Sequence, residues 1–235
     1  MTDNADTEAR SADRRRTMLD RIRTGLNDGT PMRARKDAVA ARLAGQKPHL
    51  VPQRAQIDAA GRKALFAAYL TGQTATVLDV ATLDHVPSAV ADYLRSQNLP
   101  QRLRLGADPD LAGMPWSKEP ALTRDSGAAT AGDDVGLARA VAGVAETGTL
   151  IMASGVANPV TLNYLPETHI VVLKASEIDG NYEAAFDRVR AKLGRGTMPR
   201  TLNFISGPSR TADIGGRLVV GAHGPRRLCV IIVSE

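Results

Sequence analysis

Cysteine is nearly absent from this sequence of 235 residues. The one cysteine, Cys229, lies inside the apolar run from Leu228 to Val233. A single thiol cannot form an internal disulfide, and it cannot supply the ligands that an iron–sulfur cluster ordinarily takes. Because the run is typical of a buried strand, we expect Cys229 to be an inert core residue; a nucleophilic role is the alternative.

Aromatic residues are also scarce, at 3% of the chain, although 43% of the residues are hydrophobic. The core must therefore be built from alanine, valine, leucine and isoleucine, a composition that suits strands alternating with helices. A chain of this length can bury roughly 70% of its unfolded surface, so it needs no disulfide or metal to fold.

Long apolar runs are missing too. No segment reaches the roughly 18 apolar residues that a membrane span requires. Residues 1–10 are polar and acidic, unlike the charged and apolar regions of a signal peptide. We therefore expect a cytoplasmic protein without a membrane span.

Arginine, in contrast, is concentrated near the amino terminus, and the formal net charge is +5. Five arginines between Arg14 and Arg23 accompany a single acidic residue, Asp20. One interpretation is contact with nucleic acid, anionic lipid or an acidic partner. The other is an amphipathic helix with a solvated basic face, because Leu19, Ile22 and Leu26 recur at helical spacing. The helical spacing favours the second interpretation, so nucleic-acid binding is not expected.

The chain divides in sequence into a flexible segment, residues 1–30, and a single α/β domain, residues 31–235. Residues 1–13 are predicted to be disordered, since they have almost nothing to bury. A basic amphipathic helix is predicted over residues 14–26. The pattern over residues 32–52 is weak.

Helices and short apolar strands alternate through the rest of the chain. The predicted helices cover residues 59–70, 84–97, 133–145 and 182–193. The predicted strands cover residues 75–80, 101–105, 148–153, 169–173, 202–205 and 228–233, with a brief strand at 121–123 inside a region of loops. This alternation predicts a Rossmann-like, mainly parallel sheet with helices on both faces.

Ligands of such sheets bind in loops at the carboxyl ends of the strands. That rule directs attention to the loops after Ala153, after Ile205 and around His223, and we expect the candidate loops to meet in one cleft. The usual local motifs are missing: the sequence has no GxGxxG, Walker A, GxSxG, HExxH or CxxC pattern. The four histidines are too far apart in sequence to form a local metal site, so no metal is expected.

The richest loop is ISGPSRTADI, residues 205–214. It combines a turn at Gly207 with hydroxyl, guanidinium and carboxylate groups. The candidate ligand-binding residues are Ser206, Gly207, Ser209, Arg210, Thr211 and Asp213. Such groups can form a cradle for a carboxylate or a phosphate. Equally, Ser209 or Thr211 could cap a helical turn while Arg210 pairs with Asp213.

Two further loops carry candidate catalytic groups. His223 lies between glycines and a proline in GAHGP, where it could act as an acid or base with Gly224 close to the ligand; alternatively, it only hydrogen-bonds backbone. Glu146 precedes Thr147–Gly148–Thr149, a third candidate binding loop. Glu146 could be a catalytic carboxylate or a charge left outside the sheet, and the residues favour the second interpretation.

Four segments occur in the order found in one known family: AETGTLIM (145–152), LPETHIVVL (165–173), ISGPSRTADI (205–214) and GAHGPRRLCVIIV (221–233). On these motifs the chain resembles the lactate utilisation C proteins, which consist of a LUD domain. The resemblance covers most of the chain and is firmest from about residue 120 to its end.

The resemblance implies the fold of sugar-phosphate isomerases, CoA transferases and folate cycloligases. It also implies a role in oxidising L-lactate to pyruvate with partner proteins that carry iron–sulfur clusters, this chain holding no cofactor. Two hypotheses follow. The chain is an accessory subunit of that system, or it is an enzyme that acts on a small carboxylate or phosphorylated substrate through Glu146 and His223. The absence of a redox-cofactor motif favours the accessory subunit.

Overall fold

The chain divides after residue 48 into two units, Met1–Pro48 and His49–Glu235. The computed structural model describes the backbone of residues 3–45, 49–194, 196–214 and 217–235, and side chains over 10–45, 49–194, 196–211 and 219–235. In the part of the chain so described, no helix has the length and apolar character needed to cross a membrane.

The first unit consists of two helices, α1 (Asp3–Leu26) and α2 (Met32–Ala44). Arg35 connects them, because its Nη2 donates to Leu26 O and to Asp28 Oδ1, the latter at 2.6 Å. Helix α1 begins earlier than the predicted residue 14, since alanines and glutamate in the polar stretch favour helix. Helix α2 lies where the sequence pattern was weak.

A six-stranded parallel sheet forms the centre of the second unit. Its strands are β1 (Thr76–Val80), β2 (Arg102–Leu105), β3 (Thr123–Ser126), β4 (Val135–Arg139), β7 (Thr168–Lys174) and β12 (Arg227–Val233). They lie in the order β1-β12-β7-β4-β2-β3. The predicted mainly parallel sheet is therefore confirmed.

A smaller sheet packs on one face of the central sheet. Its strands, in the order β8-β5-β6-β9, are β8 (Ile178–Asp179), β5 (Ala142–Val144), β6 (Thr149–Ala153) and β9 (Leu202–Ile205). Strand β6 is antiparallel to both β5 and β9. The remaining strands, β10 (Arg210–Ile214) and β11 (Arg217–Val220), form a separate antiparallel pair.

The helices of this unit are α3 (Ala59–Gly72), α4 (Val86–Ser96), α5 (Pro109–Ala112) and α6 (Tyr182–Leu193). Helix α4 and Trp116 pack with Ile170 and Ile231 on one face of the central sheet. Phe66 and Met152 pack with residues of the opposite face. Both faces are therefore covered, and apolar side chains on both sides of the strands explain their continuous hydrophobic runs.

Cys229 is fully buried in β12, as predicted. Burial raises the pKa of its thiol, because the apolar surroundings disfavour the thiolate. Since the thiolate is the reactive form, Cys229 is an inert core residue.

The helix predicted over residues 133–145 is wrong. This stretch forms strands β4 and β5, whose residues are almost all buried. Val135, Ala138 and Ala142 recur at a spacing that also fits a helix, which misled the prediction. Gly136 and Gly143 explain the strands: a Cβ on Gly136 would lie 2.9 Å from Leu162 O, and one on Gly143 would lie 2.8 Å from Leu173 Cδ2. Glycine permits these close approaches and disfavours helix.

Candidate functional site

The loops after Ile205 and around His223 lie at the amino ends of the central strands, not at the carboxyl ends that the general rule predicts. The loop after Ala153 contacts the carboxyl end of β2, where Ala107 N donates to Val156 O at 3.2 Å. The loop Gly221–Arg227 leads into β12, and Arg227 N donates to Glu167 O just before β7, at 3.1 Å. The carboxyl edge of the central sheet carries ion pairs. Arg139, at the end of β4, donates to Glu177 Oε1 at 2.6 Å and pairs with Asp110.

Ser209 joins two of the predicted loops. Its backbone N donates to Pro225 O at 2.8 Å, and its carbonyl accepts from Gly221 N at 2.9 Å. Its hydroxyl accepts from His223 N at 3.3 Å. The backbone around His223 is therefore held by the ISGPSRTADI loop, while the His223 side chain stays exposed.

Arg210 lies on β10, directly after this junction, and reaches the turn between α3 and β1. Its Nη2 donates to Gln73 O at 2.9 Å and to Thr74 Oγ1. Thr74 has a φ of 64°, an uncommon conformation for a β-branched residue. Gly207 packs on the same turn, where a Cβ would lie 2.8 Å from Gln73 Cβ. The guanidinium is therefore engaged with protein groups.

The rest of the loop forms strand, so the alternative of a helical cap at Ser209 or Thr211 is wrong. Thr211 pairs with Val219 across the β10–β11 pair. The side chain of Asp213 lies outside the described residues, and so does its predicted pairing with Arg210.

A cluster of hydroxyl groups surrounds Thr149. Its Oγ1 is 2.7 Å from Thr147 Oγ1, 3.0 Å from Tyr182 Oη and 2.7 Å from Ser206 Oγ. Thr147 and Tyr182 are also joined, at 3.1 Å. Ser206 therefore links the Thr147–Gly148–Thr149 turn to the ISGPSRTADI loop, as expected from the prediction that these loops meet.

Sequence reasoning missed Tyr182, which entered the sequence analysis only as the first residue of the helix predicted over residues 182–193. A tyrosine in the first turn of a half-buried helix needs a partner for its hydroxyl, and this signal could have placed it at the site.

Glu146 is buried, with only 6% of its surface exposed, so it is not a charge left outside the sheet. Its Oε1 accepts from Tyr182 N at 3.2 Å, and its backbone N donates to Gly180 O at 3.1 Å. A carboxylate at this position also interacts favourably with the amino end of α6. Gly148 follows with a φ of 62° and packs so closely that a Cβ would lie 2.6 Å from Tyr69 Cβ.

An open cleft of about 400 Å³ lies beside the His223 loop. Residues 164–167 and 220–224 line it together with Arg226. Of the predicted site residues, His223 and Gly224 border the cleft, whereas Glu146 lies outside its lining. Arg226 Nη1 is 3.7 Å from Glu167 Oε2. The loops meet, but the two candidate catalytic residues do not share this cleft.

Several known proteins are similar to this chain. Residues 71–233 match the model of the LUD domain. Lactate utilization protein C of Shouchella clausii is 36% identical over 102 residues, which is 43% of this chain and 44% of that protein. Lactate utilization protein C of Bacillus subtilis is 36% identical over 103 residues, 43% of each chain. An uncharacterized protein of Neisseria meningitidis is 38% identical over 100 residues, 43% of this chain and 42% of that protein.

These alignments span less than half the length of the curated relatives. Among solved structures, a crystal structure of a DUF162 family protein from Deinococcus radiodurans superposes with a TM-score of 0.58 at 23% identity. The superposition covers 75% of this chain and 99% of that one. At this identity the likeness supports the fold, an α/β sheet flanked by helices.

Proposed function

Because this chain belongs to the LUD domain family, we propose that it serves lactate utilisation as an accessory subunit of an iron–sulfur-dependent system that oxidises L-lactate to pyruvate. The names of its relatives support the pathway. The single buried Cys229 supports the accessory role. One thiol cannot ligate a cluster, so the iron–sulfur clusters that transfer electrons would belong to partner proteins.

The observation that carries the accessory role is the rim of the His223 cleft. Three large apolar side chains border it and are exposed: Tyr164 at 44%, Leu165 at 50% and Val220 at 44%. Contiguous exposed apolar residues with polar neighbours are typical of protein interaction sites. Arg226, His223 and Glu167 supply the polar part of this rim. Such a surface suits a subunit that docks on a partner.

Growth tests this function. Deleting the gene for this chain should abolish growth on L-lactate and leave growth on pyruvate intact, and reintroducing the gene should restore growth on L-lactate. Normal growth of the deletion strain on L-lactate as sole carbon source would overturn the proposal.

The hydroxyl cluster around Thr149 favours a second candidate function, an enzyme that acts on a small carboxylate or phosphorylated substrate. Its hydroxyls lie beside Glu146, which supplies a carboxylate. The discriminating experiment incubates the purified chain alone with sugar phosphates, or with L-lactate and an artificial electron acceptor. The accessory proposal expects no product. Product formation that Glu146→Gln abolishes would establish the enzyme instead.

A further inference from the structure

The two outer strands of the central sheet, β1 and β3, differ in the chemistry of their free edges. Strand β3 has the sequence TRDS, in which Asp125 pairs with Arg102 of β2 at 2.7 Å and Arg124 lies over the Trp116 ring at 5.1 Å. Charged residues on a short edge strand discourage pairing with another chain. Strand β1 has the sequence TVLDV, and no described strand pairs with its outer edge. Of these two edges, β1 is therefore the one suited to further strand pairing.

The backbone of β1 has groups that point away from the sheet. On its inner side, Val80 O accepts from Ser234 N, directly after β12, at 3.0 Å. Successive residues of a strand direct their N–H and C=O groups to opposite sides, so Leu78 bonds on the β12 side, like Val80. Val77 and Asp79, which alternate with them, face outward. Their N–H and C=O groups are those that an added strand would use.

An apolar groove of about 380 Å³ runs beside this edge, between β1 and α4. Leu78 and Val80 line it from the strand, and Ala89 and Tyr93 line it from the helix. Leu78, Val80 and Ala89 are only partly buried. Apolar side chains beside an unpaired edge favour a neighbour that supplies both a strand and apolar contacts.

The charged groups along the groove are paired within the chain. Two acidic residues line it, Asp79 and Asp92. Asp79 Oδ1 is 2.7 Å from Lys63 Nζ of α3, and Asp92 Oδ1 is 2.5 Å from Arg95 Nη2 of α4. A second copy would therefore meet no unbalanced charge, and a basic segment of another protein would find both carboxylates already paired. The edge accordingly favours self-association.

We propose that β1 pairs antiparallel with β1 of a second copy, so that the two central sheets join across a two-fold axis. One register pairs all five residues of the strand. It places Leu78 opposite Leu78 and Val77 opposite Asp79, so the outward-facing backbone groups lie opposite each other, as an antiparallel ladder requires. The two Leu78 side chains meet at the axis and the two apolar grooves become one interface.

Other registers satisfy this edge less well. A shift of two residues in one direction brings the two Asp79 side chains directly opposite each other, which like charges disfavour. A shift in the other direction brings Val77 opposite Val77 and leaves Asp79 and Val80 opposite residues before the strand. The register centred on Leu78 therefore gives the fullest pairing.

Analytical ultracentrifugation of the full chain tests the dimer. The unaltered chain should have twice the mass of 24.9 kDa at micromolar concentration. Asp79→Pro removes an outward N–H that only the dimer uses, and an edge strand tolerates proline at such a position. The dissociation constant of the dimer should rise about tenfold or more, because the symmetric interface loses the hydrogen bond twice. Asp79→Asn keeps the N–H and is the matched control, which should retain the dimer.

Three outcomes would overturn the proposal: a monomer at every concentration up to millimolar, a dimer that folded Asp79→Pro does not weaken, or equal loss of the dimer in Asp79→Asn. If Asp79→Pro does not fold, amide hydrogen exchange of the unaltered chain decides. The Val77 and Asp79 amides should exchange slowly in the dimer and faster after dilution to the monomer. Exchange at both residues that stays the same on dilution would refute pairing through β1.

Discussion

The hydroxyl of Ser209 accepts a hydrogen bond from the backbone N–H of His223, at 3.3 Å, and so ties the cleft loop to the strand that pairs with β11. Replacing Ser209 with alanine should free the loop without unfolding the sheets. The expected cost is about 1 kcal/mol of stability. Faster amide hydrogen exchange at Gly221–Gly224 is the measurement. Ser11→Ala, in exposed helix α1, is the control and should leave that exchange unchanged.

Arg210→Lys should lower stability although the charge is retained. The planar guanidinium donates to both Gln73 O and Thr74 Oγ1, and a lysine ammonium does not reproduce that geometry. We expect a loss of about 1 kcal/mol in urea unfolding. In a double-mutant cycle, Thr74→Ala and Arg210→Lys should be less than additive. Additive losses would show that the contact with Thr74 contributes nothing.

Gly148→Ala should destabilise the protein strongly. The residue has a φ of 62°, and the added Cβ would lie 2.6 Å from Tyr69 Cβ. The left-handed conformation alone costs about 1–2 kcal/mol, and the clash adds to it. Thermal unfolding measures the loss. Gly155→Ala, where no atom lies within 4 Å of the new methyl group, provides the matched control and should be close to neutral.

The buried His169 should make stability depend on pH. Its folded pKa of about 4 lies below its ordinary value of 6.5, so between these values the unfolded chain binds a proton that the folded chain does not. Its contribution to stability is therefore complete above pH 6.5 and falls as the pH decreases toward 4. The full effect is about 3 kcal/mol. Urea unfolding from pH 7 to pH 4 should show a shallower dependence for His169→Gln; equal slopes would contradict the prediction.

Much of the fold could be predicted because local pattern and tertiary environment agree. The helix at 182–193 and the strand at 202–205 match the structure at both ends. The helix predicted over residues 133–145 was wrong because the buried alanines and valines there fit both the period of a helix and that of a strand. Only long-range contacts of Gly136 and Gly143 decide between helix and strand there, and these contacts are invisible in the local sequence.

Only part of the candidate site could be predicted from the sequence. The loops carrying Ser206 and His223 do meet, because turn-forming residues and polar groups mark them in sequence. Their position at the amino edge depends on strand order, which the sequence pattern does not give. His169 looked like one polar residue in an apolar strand. Only the structure shows that both of its ring nitrogens are buried without a hydrogen-bond partner among the described residues.

The accessory role predicts that the chain purified without its partner proteins is colourless and free of iron, because one buried thiol cannot hold a cluster. Metal analysis and a visible absorption spectrum measure this. Stoichiometric iron with a visible absorption band would contradict it.

The most direct test of the accessory role is the iron recovered when the tagged chain is purified from cells grown on L-lactate. The unaltered chain should co-purify with an iron–sulfur protein. Leu165→Asp, on the cleft rim, should lose that iron together with growth on L-lactate, because a charge would be placed in an apolar contact. Leu50→Asp, at a residue that is 94% exposed and outside the cleft lining, is the matched control and should retain both. Equal iron and equal growth for Leu165→Asp and the unaltered chain would contradict docking through this rim.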